Sequence, residues 1–292
     1  MTGCPATELT DGPTDGGSEA WYAYCLLRRA DAVRPDTVDR SVPMLGIDDQ
    51  PVRFVGSGQL VAATAAVRLE GFRTAEREPD LTEHGWLAAA VRRHEQVVER
   101  LFGQVTVLPL RFGALYPTQD GLTTALGRRE SALLAELSRL DGVAEWGVRA
   151  YLDITGSIRP GRSTHPARSD PDPGAQPVRP GAGTAWMLRR RESVRTHRVA
   201  RELARRMADE SHTRLSRHAR EAVLCQRSPR STNGATLVLD AAYLLTRDQD
   251  TVLRAEAGDL SERHAASRLR FELTGPWPPY HFTRLTEGVN HG

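Results

Sequence analysis

The sequence predicts an α+β fold in two domains, each a mixed or antiparallel sheet with helices on one face. Three observations lead to this expectation. At 292 residues, the chain is almost twice the ~150 residues at which single cores usually stop growing. A stretch rich in proline and glycine, 156–183, interrupts it without a single aromatic residue. On each side of that stretch, apolar runs of strand length alternate with longer amphipathic segments.

Composition indicates how the chain divides. Residues 1–19 have little to bury and are expected to form a disordered tail, as are residues 285–292. Between them we predict an N-terminal α+β domain at 20–155, a linker or long loop at 156–183, and a C-terminal domain at 184–284 that ends in a tail rich in proline and aromatic residues.

The N-terminal domain is predicted to begin with a strand at Trp21–Leu27. Two short strands within 51–67 follow, joined by a hairpin turn at Gly56-Ser57-Gly58. This turn lacks the third glycine of a dinucleotide-binding loop. The remaining predicted elements are a helix at 81–102, a strand at 105–112, a Leu-rich helix at 118–140, and a strand at 143–152 that closes the domain.

The C-terminal domain is predicted to follow the ferredoxin-like order of strand, helix, strand, strand, helix, strand. Its predicted elements are a strand at 185–188, a helix at 192–222, a strand beginning within 222–225, a strand at 236–245, a helix at 248–264 and a strand at 268–273. The long helix has a narrow apolar stripe among many arginines.

All 39 basic residues are arginine, since the chain has no lysine. This excludes enzyme classes that need a Schiff-base lysine, a lysine general base or a phosphate-loop lysine. A coding bias is the plain interpretation. The net charge of +2 requires neither nucleic acid nor a membrane surface. However, residues 1–155 hold 16 Arg and 22 acids, whereas residues 184–292 hold 19 Arg and 13 acids. We predict that this asymmetry favours docking between domains or self-association.

Cysteine usage and the first residues indicate a cytoplasmic protein. Cys4, Cys25 and Cys225 are widely spaced and odd in number, which suits neither a disulfide framework nor a zinc cluster. The chain begins without the basic start and apolar run of a secretory signal. No segment approaches the ~20 apolar residues of a membrane span, so we expect no membrane partner.

His94-Glu95 is the most enzyme-like dipeptide because it opens a helical zinc-protease signature. Val98 stands where that signature requires a second histidine, and His84 lies ten residues before His94. The preferred interpretation is that His94 is a hydrogen-bonded core residue, with metal-dependent hydrolysis as an alternative. No nucleophile-elbow serine is present either, so we predict no catalytic residue, no cofactor and no metal.

Arginine dominates the long helix, and we predict that Arg198 and Arg205 contact a partner. An arginine stripe on a ferredoxin-like domain could hold RNA. RNA-binding domains of that topology stack bases on strand aromatics, and the strand at 236–245 offers only Tyr243. We prefer a solvated face that pairs with the acidic first half, and keep an RNA-binding module as the alternative.

The segment Gly275–Phe282 has three prolines that remove three backbone donors. We expect it to leave the preceding strand as a stiff, extended arm. Trp277, Tyr280 and Phe282 would then either cover the protein's own sheet or offer an aromatic surface to a partner. Packing within the chain is preferred because large aromatic side chains are mostly buried. All three remain candidate partner-binding residues.

Six segments, taken in order, carry a resemblance to a known family. They are Trp21–Tyr24, His94–Glu95, Leu108–Gly113, Glu145–Val148, Ala241–Leu244 and Gly275–Phe282. Over about Trp21 to Phe282, they resemble the gas vesicle protein F/L family (GvpF/GvpL). The final motif combined with Leu108–Gly113 is the most specific part of the match.

The resemblance implies an accessory protein of gas vesicle formation, located in the cytoplasm and at the gas vesicle. Such a protein is a minor vesicle component or assembly factor that binds the hydrophobic major shell protein and limits its aggregation. Other gas vesicle accessory proteins are further implied partners. The resemblance also implies two α+β domains, the second a modified ferredoxin-like fold, and it brings no catalytic residues.

Overall fold

The computed structural model describes residues 19–33, 43–77, 80, 82, 84–153, 182–225, 230–232 and 235–284. Contacts divide the chain into two units. The first comprises residues 1–145 and 276–292, and the second comprises residues 146–275. The chain forms two sheets, and helices occur between the strands of each sheet along the chain. The predicted α+β class is therefore confirmed.

The described part of the first unit contains a five-stranded sheet. Its strands are β1 (Glu19–Arg28), β2 (Arg53–Ser57), β3 (Leu60–Arg68), β4 (Leu108–Pro109) and β5 (Leu115–Tyr116). The strand order is β2-β3-β1-β4, and β5 also pairs with β1. These pairings are antiparallel. The whole run Trp21–Leu27 of β1 is buried, so side chains on both faces of this strand are covered.

The predicted hairpin joins β2 to β3. Ser57 pairs with Leu60, so the turn consists of Gly58 and Gln59. Gly58 has a φ of 52°, a left-handed conformation that glycine adopts without steric cost. The glycine pattern therefore serves a turn, as the sequence indicates, rather than a nucleotide-binding loop.

Five helices accompany this sheet in the described residues. They are α1 (Arg29–Ala32), α2 (Leu69–Arg77), α3 (Trp86–Phe102), α4 (Gln119–Arg128) and α5 (Glu130–Arg139). The core between sheet and helices is rich in aromatic rings. Tyr22 of β1 lies at its centre, with ring centroids 5.6 Å from Phe72 and 4.8 Å from Tyr24. Such contacts stabilise the core beyond the area they bury.

Two predicted elements of the first unit need correction. The helix expected at 118–140 is two helices, because Arg129 has the non-helical φ and ψ of −123° and 11°. Leucines on both sides of the break are buried, so the apolar spacing alone could not show the break. The strand expected at 105–112 shortens to β4, in which only Leu108 and Pro109 pair with β1.

The second sheet is built from the other strands. The elements in chain order are β6 (Val143–Asp153), α6 (Ala182–Ser216), β7 (Glu221–Leu224), β8 (Arg230–Thr232), β9 (Ala235–Thr246), α7 (Asp250–His264) and β10 (Leu269–Trp277). The strand order is β10-β6-β9-β7, with β8 beside β9. Leaving β8 aside, this is the ferredoxin-like order of strands and helices.

The strand that opens this sheet differs from the prediction. We expected 143–152 to close the first domain, but β6 lies in the second sheet. The predicted strand 185–188 lies inside α6 instead. The contact division also places the boundary between Glu145 and Trp146, and assigns 276–292 to the first unit. Alternating apolar residues predict a strand but not the sheet it joins, which explains the error.

Several predicted segments lie outside the described residues. The structure describes the expected linker 156–183 only at 182 and 183, where α6 begins. Of the expected tail 1–19, the structure describes only Glu19, which begins β1, and the expected tail 285–292 lies outside the described residues.

The core of the second unit lies between β6, β9 and two helices. Its buried residues include Trp146, Val148, Ala150 and Leu152 of β6, Tyr243 and Leu245 of β9, Ala204, Ala208 and Leu215 of α6, and Leu253 and Leu260 of α7. The α6 residues in this core all come from the second half of the helix. The α6 side chains that the structure describes before Ala204 are all exposed.

Candidate functional site

We define the first half of α6 as residues 182–203, the part that precedes the buried Ala204. It holds most of the large exposed apolar side chains described in the second unit. Met187, Val194, Val199 and Leu203 are between 53% and 62% exposed. Among the α6 side chains that the structure describes before Ala204, none is buried. Large apolar side chains are usually buried, so this concentration on one helix indicates a contact surface.

Five exposed residues of α6 form one stripe along the helix. They are Met187, Arg191, Val194, Arg198 and Arg205, spaced by four, three, four and seven residues. These spacings return to the same helical face. We call this set the α6 stripe. The predicted contact residues Arg198 and Arg205 thus lie on one face, together with the apolar Met187 and Val194.

The C-terminal segment behaves differently from the predicted stiff arm. Strand β10 continues through Gly275 and Pro276 to Trp277, so the first proline does not end it. A 3-10 turn at Tyr280–Phe282 follows. The chain therefore bends back rather than extending away.

Only one of the three predicted C-terminal aromatics is exposed. Trp277 is 40% exposed, whereas Phe282 is 4% exposed. Tyr280 packs against the core of the first unit, with its ring centroid 6.3 Å from that of His94. Tyr280 and Phe282 thus pack within the chain, and only Trp277 remains available to a partner.

A buried carboxylate holds the end of this segment. Glu136 of α5 accepts from Arg139 over 2.7 and 2.9 Å and from the backbone N–H of Arg284 over 3.0 Å. Arg139 also donates to the carbonyl of Phe282. The hydrogen bond from Arg139 is the main reason why the pKa of Glu136 lies below its ordinary value.

A second buried carboxylate, that of Glu145, holds His281, the residue before Phe282. Glu145 accepts from the backbone N–H of His281 over 2.9 Å, and its other oxygen lies 2.6 Å from His281 Nδ1. We call Glu136, Arg139, Glu145 and residues 281–284 the C-terminal clasp. Since buried charges require partners, the clasp ties the segment firmly to the first unit.

His94 occupies the core position predicted for it. It is 2% exposed, and its Nδ1 lies 2.8 Å from the hydroxyl of Tyr22. Burial lowers its pKa to about 4. Among the described residues, no group of three or more potential ligands is placed to hold a metal, and His84 is exposed at the surface.

Tyr243 is placed unfavourably for the RNA-binding alternative. Its side chain is fully buried, and its hydroxyl lies 2.8 Å from His212 Nδ1. A ring in that position cannot stack on a base, which is how domains of this topology hold RNA. The arginines of α6 remain, but without an aromatic platform on β9.

A cleft of about 370 Å³ opens in the first unit beside α2 and α3. Asp48, Glu70 and Asp80 contribute three carboxylates to its lining, and Arg68 contributes one guanidinium. Trp86 forms an apolar part of the wall. We call this site the acidic cleft.

Trp86 is held in the wall of the acidic cleft from two sides. Its indole N–H donates to Asp48 Oδ1 over 3.1 Å. On the other side, a Cβ at Gly71 would approach the indole to 2.3 Å, so this position of α2 requires glycine. The side chain is therefore fixed before any ligand arrives.

The backbone at the edge of the cleft has an uncommon conformation. Asp48 and Asp49 both have a φ of 55°, in the left-handed region that few non-glycine residues adopt and that aspartate tolerates better than most. Asp49 also forms an ion pair with Arg93 over 2.6 Å. Left-handed conformations of non-glycine residues persist where surrounding contacts hold them, and they occur often at functional sites.

The sequence did not reveal the acidic cleft or the carboxylates of the clasp. The cleft residues are spread from position 48 to position 86, and no periodic pattern links them. Glu136 lies on the predicted Leu-rich helix. An acidic residue among leucines was the one local sign in the sequence of a buried carboxylate at this position. Glu145 lies within the strand motif Glu145–Val148, which suggested only a strand.

Comparison with known proteins identifies the family of this two-unit α+β chain. Residues 20–284 match the family model described as "Gas vesicle synthesis protein GvpL/GvpF". The chain belongs to this family.

Individual relatives agree with the family match. The chain is 30% identical over 272 residues to "Gas vesicle protein L" of Streptomyces sp. (strain CB03234), covering 92% of this chain and 95% of the relative. It is 26% identical over 263 residues to "Gas vesicle protein F" of the same organism, covering 89% and 98%.

Solved structures share the fold. The crystal structure of the gas vesicle protein GvpF from Anabaena sp. PCC7120 matches with a TM-score of 0.59 at 18% identity, covering 92% of this chain and 97% of that one. The crystal structure of GvpF from Microcystis aeruginosa matches with a TM-score of 0.56 at 18% identity, covering 91% and 99%. Of the helices in the described ranges, none has the length and apolar character that a membrane span needs.

Proposed function

We propose that this chain is a non-enzymatic accessory protein of gas vesicle formation in the cytoplasm and at the vesicle. It binds the hydrophobic major shell protein, limits its aggregation during assembly, and works beside other gas vesicle accessory proteins. Membership of the GvpL/GvpF family supports the gas vesicle role. The chemistry of the α6 stripe supports the binding step.

The exposed first half of α6 is the observation that carries the proposal. Met187 and Val194 can cover apolar surface of a partner, and a methionine adapts its shape to different contacts. Arg198 and Arg205 keep the same face charged, which disfavours apolar contact between the stripes of two free copies. A surface of this mixed kind can bind an apolar partner without itself aggregating.

Trp277 offers a second contact. It is the exposed member of the C-terminal aromatic set, and its segment is held by the buried Pro278 and Pro279 and by the C-terminal clasp. Large, rigid aromatic side chains are frequent energetic centres of protein interfaces. Tyr280 and Phe282 contribute indirectly, because their burial fixes the segment that presents Trp277.

The test is co-expression with the major shell protein and capture of the complex. The double variant Met187→Ser/Val194→Ser should reduce capture at least tenfold and increase light scattering by the shell protein. Val252→Ser is the matched control, because Val252 is 45% exposed on α7 of the same unit. Equal capture by the stripe variant and the control would exclude the stripe, and absence of capture by the unaltered chain would exclude the binding role.

A further inference from the structure

We propose that the acidic cleft of the first unit binds the arginines of the α6 stripe on a second copy of this chain. The contact joins one surface of a copy to a different surface of the next. It gives the protein a head-to-tail self-association that depends on ion pairing.

The lining of the acidic cleft suits a guanidinium group. Glu70 and Asp80 provide carboxylates, which guanidinium groups bind through paired hydrogen bonds. Trp86 provides an indole face, the best aromatic partner for a cation. Because Trp86 is already fixed by Asp48 and by its close approach to Gly71, the site needs little ordering on binding.

A metal ion fits this site less well than an organic cation. The carboxylates of the cleft do not converge into a group of three that could hold a metal, as judged over the described residues. The cleft is also about 370 Å³ in volume, within the range of sites for side-chain-sized or larger ligands. A planar cation at the end of a long side chain can contact both the carboxylates and the indole.

Charge complementarity identifies a second copy as the partner. By sequence, the first unit has 16 Arg and 22 acids, whereas the second unit has 23 Arg and 15 acids. Arg198 and Arg205 are exposed on one face, and no carboxylate within the described ranges pairs with either. Each copy therefore carries both an acceptor for guanidinium groups and a row of them.

This geometry has two consequences. A contact between two different surfaces leaves one free copy of each surface on every pair. Further copies can therefore add, and the assembly is an open chain or a ring of several copies. The α6 stripe would also be covered in such an assembly, so self-association and capture of the shell protein would compete. Ion pairs at exposed sites are screened by salt, so the association should weaken strongly as salt increases.

The experiment measures the mass of the full-length protein by sedimentation velocity across a range of protein concentrations. At low salt the unaltered chain should form species larger than a monomer, and ~1 M salt, where the Debye length is ~3 Å, should dissociate them. Glu70→Gln/Asp80→Asn should weaken association at least tenfold, and so should Arg198→Gln/Arg205→Gln. The control Glu95→Gln/Glu99→Gln removes the same charge from exposed positions of α3 outside the cleft and should associate normally.

Mixing the two defective variants makes the test decisive. One retains an intact stripe and the other an intact cleft, so the mixture should form a 1:1 complex and stop there. A monomeric unaltered chain at low salt, normal association of the cleft variant, or a mixture that stays monomeric would each overturn the proposal. Shell-protein capture by Glu70→Gln/Asp80→Asn is measured separately, so a failure of self-association is distinguishable from a failure of the proposed function.

Discussion

Two segments carry the candidate partner-binding residues, and the fold treats them in opposite ways. The C-terminal segment 276–284 is rich in aromatic and proline residues and is largely tied into the first unit. The first half of α6 has isolated apolar residues among arginines and is exposed throughout its described side chains. The comparison teaches that apolar content alone does not indicate a binding surface, because the denser aromatic segment is the one that is buried.

Partner chemistry within the chain explains the difference. The C-terminal segment finds two buried carboxylates and an aromatic core to pack against. The first half of α6 has arginines on several sides, and burial of unpaired arginine is costly. We therefore expect substitutions in the C-terminal segment to change stability, and substitutions in the first half of α6 to change binding.

The largest effect is expected at Phe282. Its side chain is 4% exposed, and truncation of a buried phenylalanine costs about 3–5 kcal/mol. Phe282→Ala should lower the free energy of unfolding by that amount in urea titrations. Trp277→Ala, as the exposed neighbour in the same segment, should cost much less. Similar losses in the free energy of unfolding for both variants would show that Trp277 contributes as much to stability as Phe282 does.

A pH dependence of nearly the same size is expected from His94. Burial lowers its pKa from 6.5 to about 4, so the unfolded chain binds a proton at a higher pH than the folded chain does. Stability is therefore fully present above pH 6.5 and falls as the pH approaches 4, by up to about 3 kcal/mol. Urea titrations across this range should show the slope.

The matched pair for this measurement is His94→Gln and His84→Gln. The first should reduce the slope, because it removes the imidazole from the core of the first unit. The part that remains is expected from His264, which is buried in the second unit and whose pKa burial also lowers. The second variant should leave the slope unchanged, because His84 is exposed. An undiminished slope in His94→Gln would assign the pH dependence to other groups.

A smaller loss is expected at the C-terminal clasp. Glu136→Gln removes the charge that Arg139 faces, and a hydrogen bond to a charged group contributes about 1.5–3 kcal/mol. Because the pKa of Glu136 is lowered in the folded state, its contribution is present above its ordinary pKa of 4.5 and is lost as the pH falls below that value.

Thermal unfolding at neutral and acidic pH measures the contribution of the clasp. Glu136→Gln should be less stable than the parent at pH 7, and the gap should narrow in acid. Glu95→Gln, an exposed position on α3, should match the parent at both values. A gap of constant size would mean that the charge of Glu136 is not what holds the segment.

The smallest effect on stability is expected at the α6 stripe. Met187→Ala and Val194→Ala alter exposed side chains, and surface substitutions usually change stability by less than about 0.5 kcal/mol. Both variants should unfold at the same urea concentration as the parent. A loss of about 2 kcal/mol would show that the first half of α6 is packed within the chain and is not a free surface.

The sequence predicted the elements of the fold better than their assembly. The strand at Trp21–Leu27 and the hairpin at Gly58 follow from local apolar runs and turn chemistry, which act within a few residues. The placement of β6 in the second sheet depends on which distant strand it pairs with. Nothing in its own residues carries that information.

The candidate surfaces show the same limit. Arg198 and Arg205 lie on one exposed face because helical spacing is a local property that the sequence displays. The burial of Phe282 depends on Arg139 and Glu136, more than 140 positions earlier. The acidic cleft likewise exists only after Asp48, Glu70 and Asp80 are brought together by folding.

Photo-crosslinking is the most direct test of the claim that α6 presents the shell-binding surface. A photoreactive residue at Val194 is compared with one at Val252, which is exposed on α7 of the same unit, during co-expression with the major shell protein. The account predicts a crosslink to the shell protein from position 194 and none from position 252. A crosslink from position 252 alone, or equal yields from both, would contradict it.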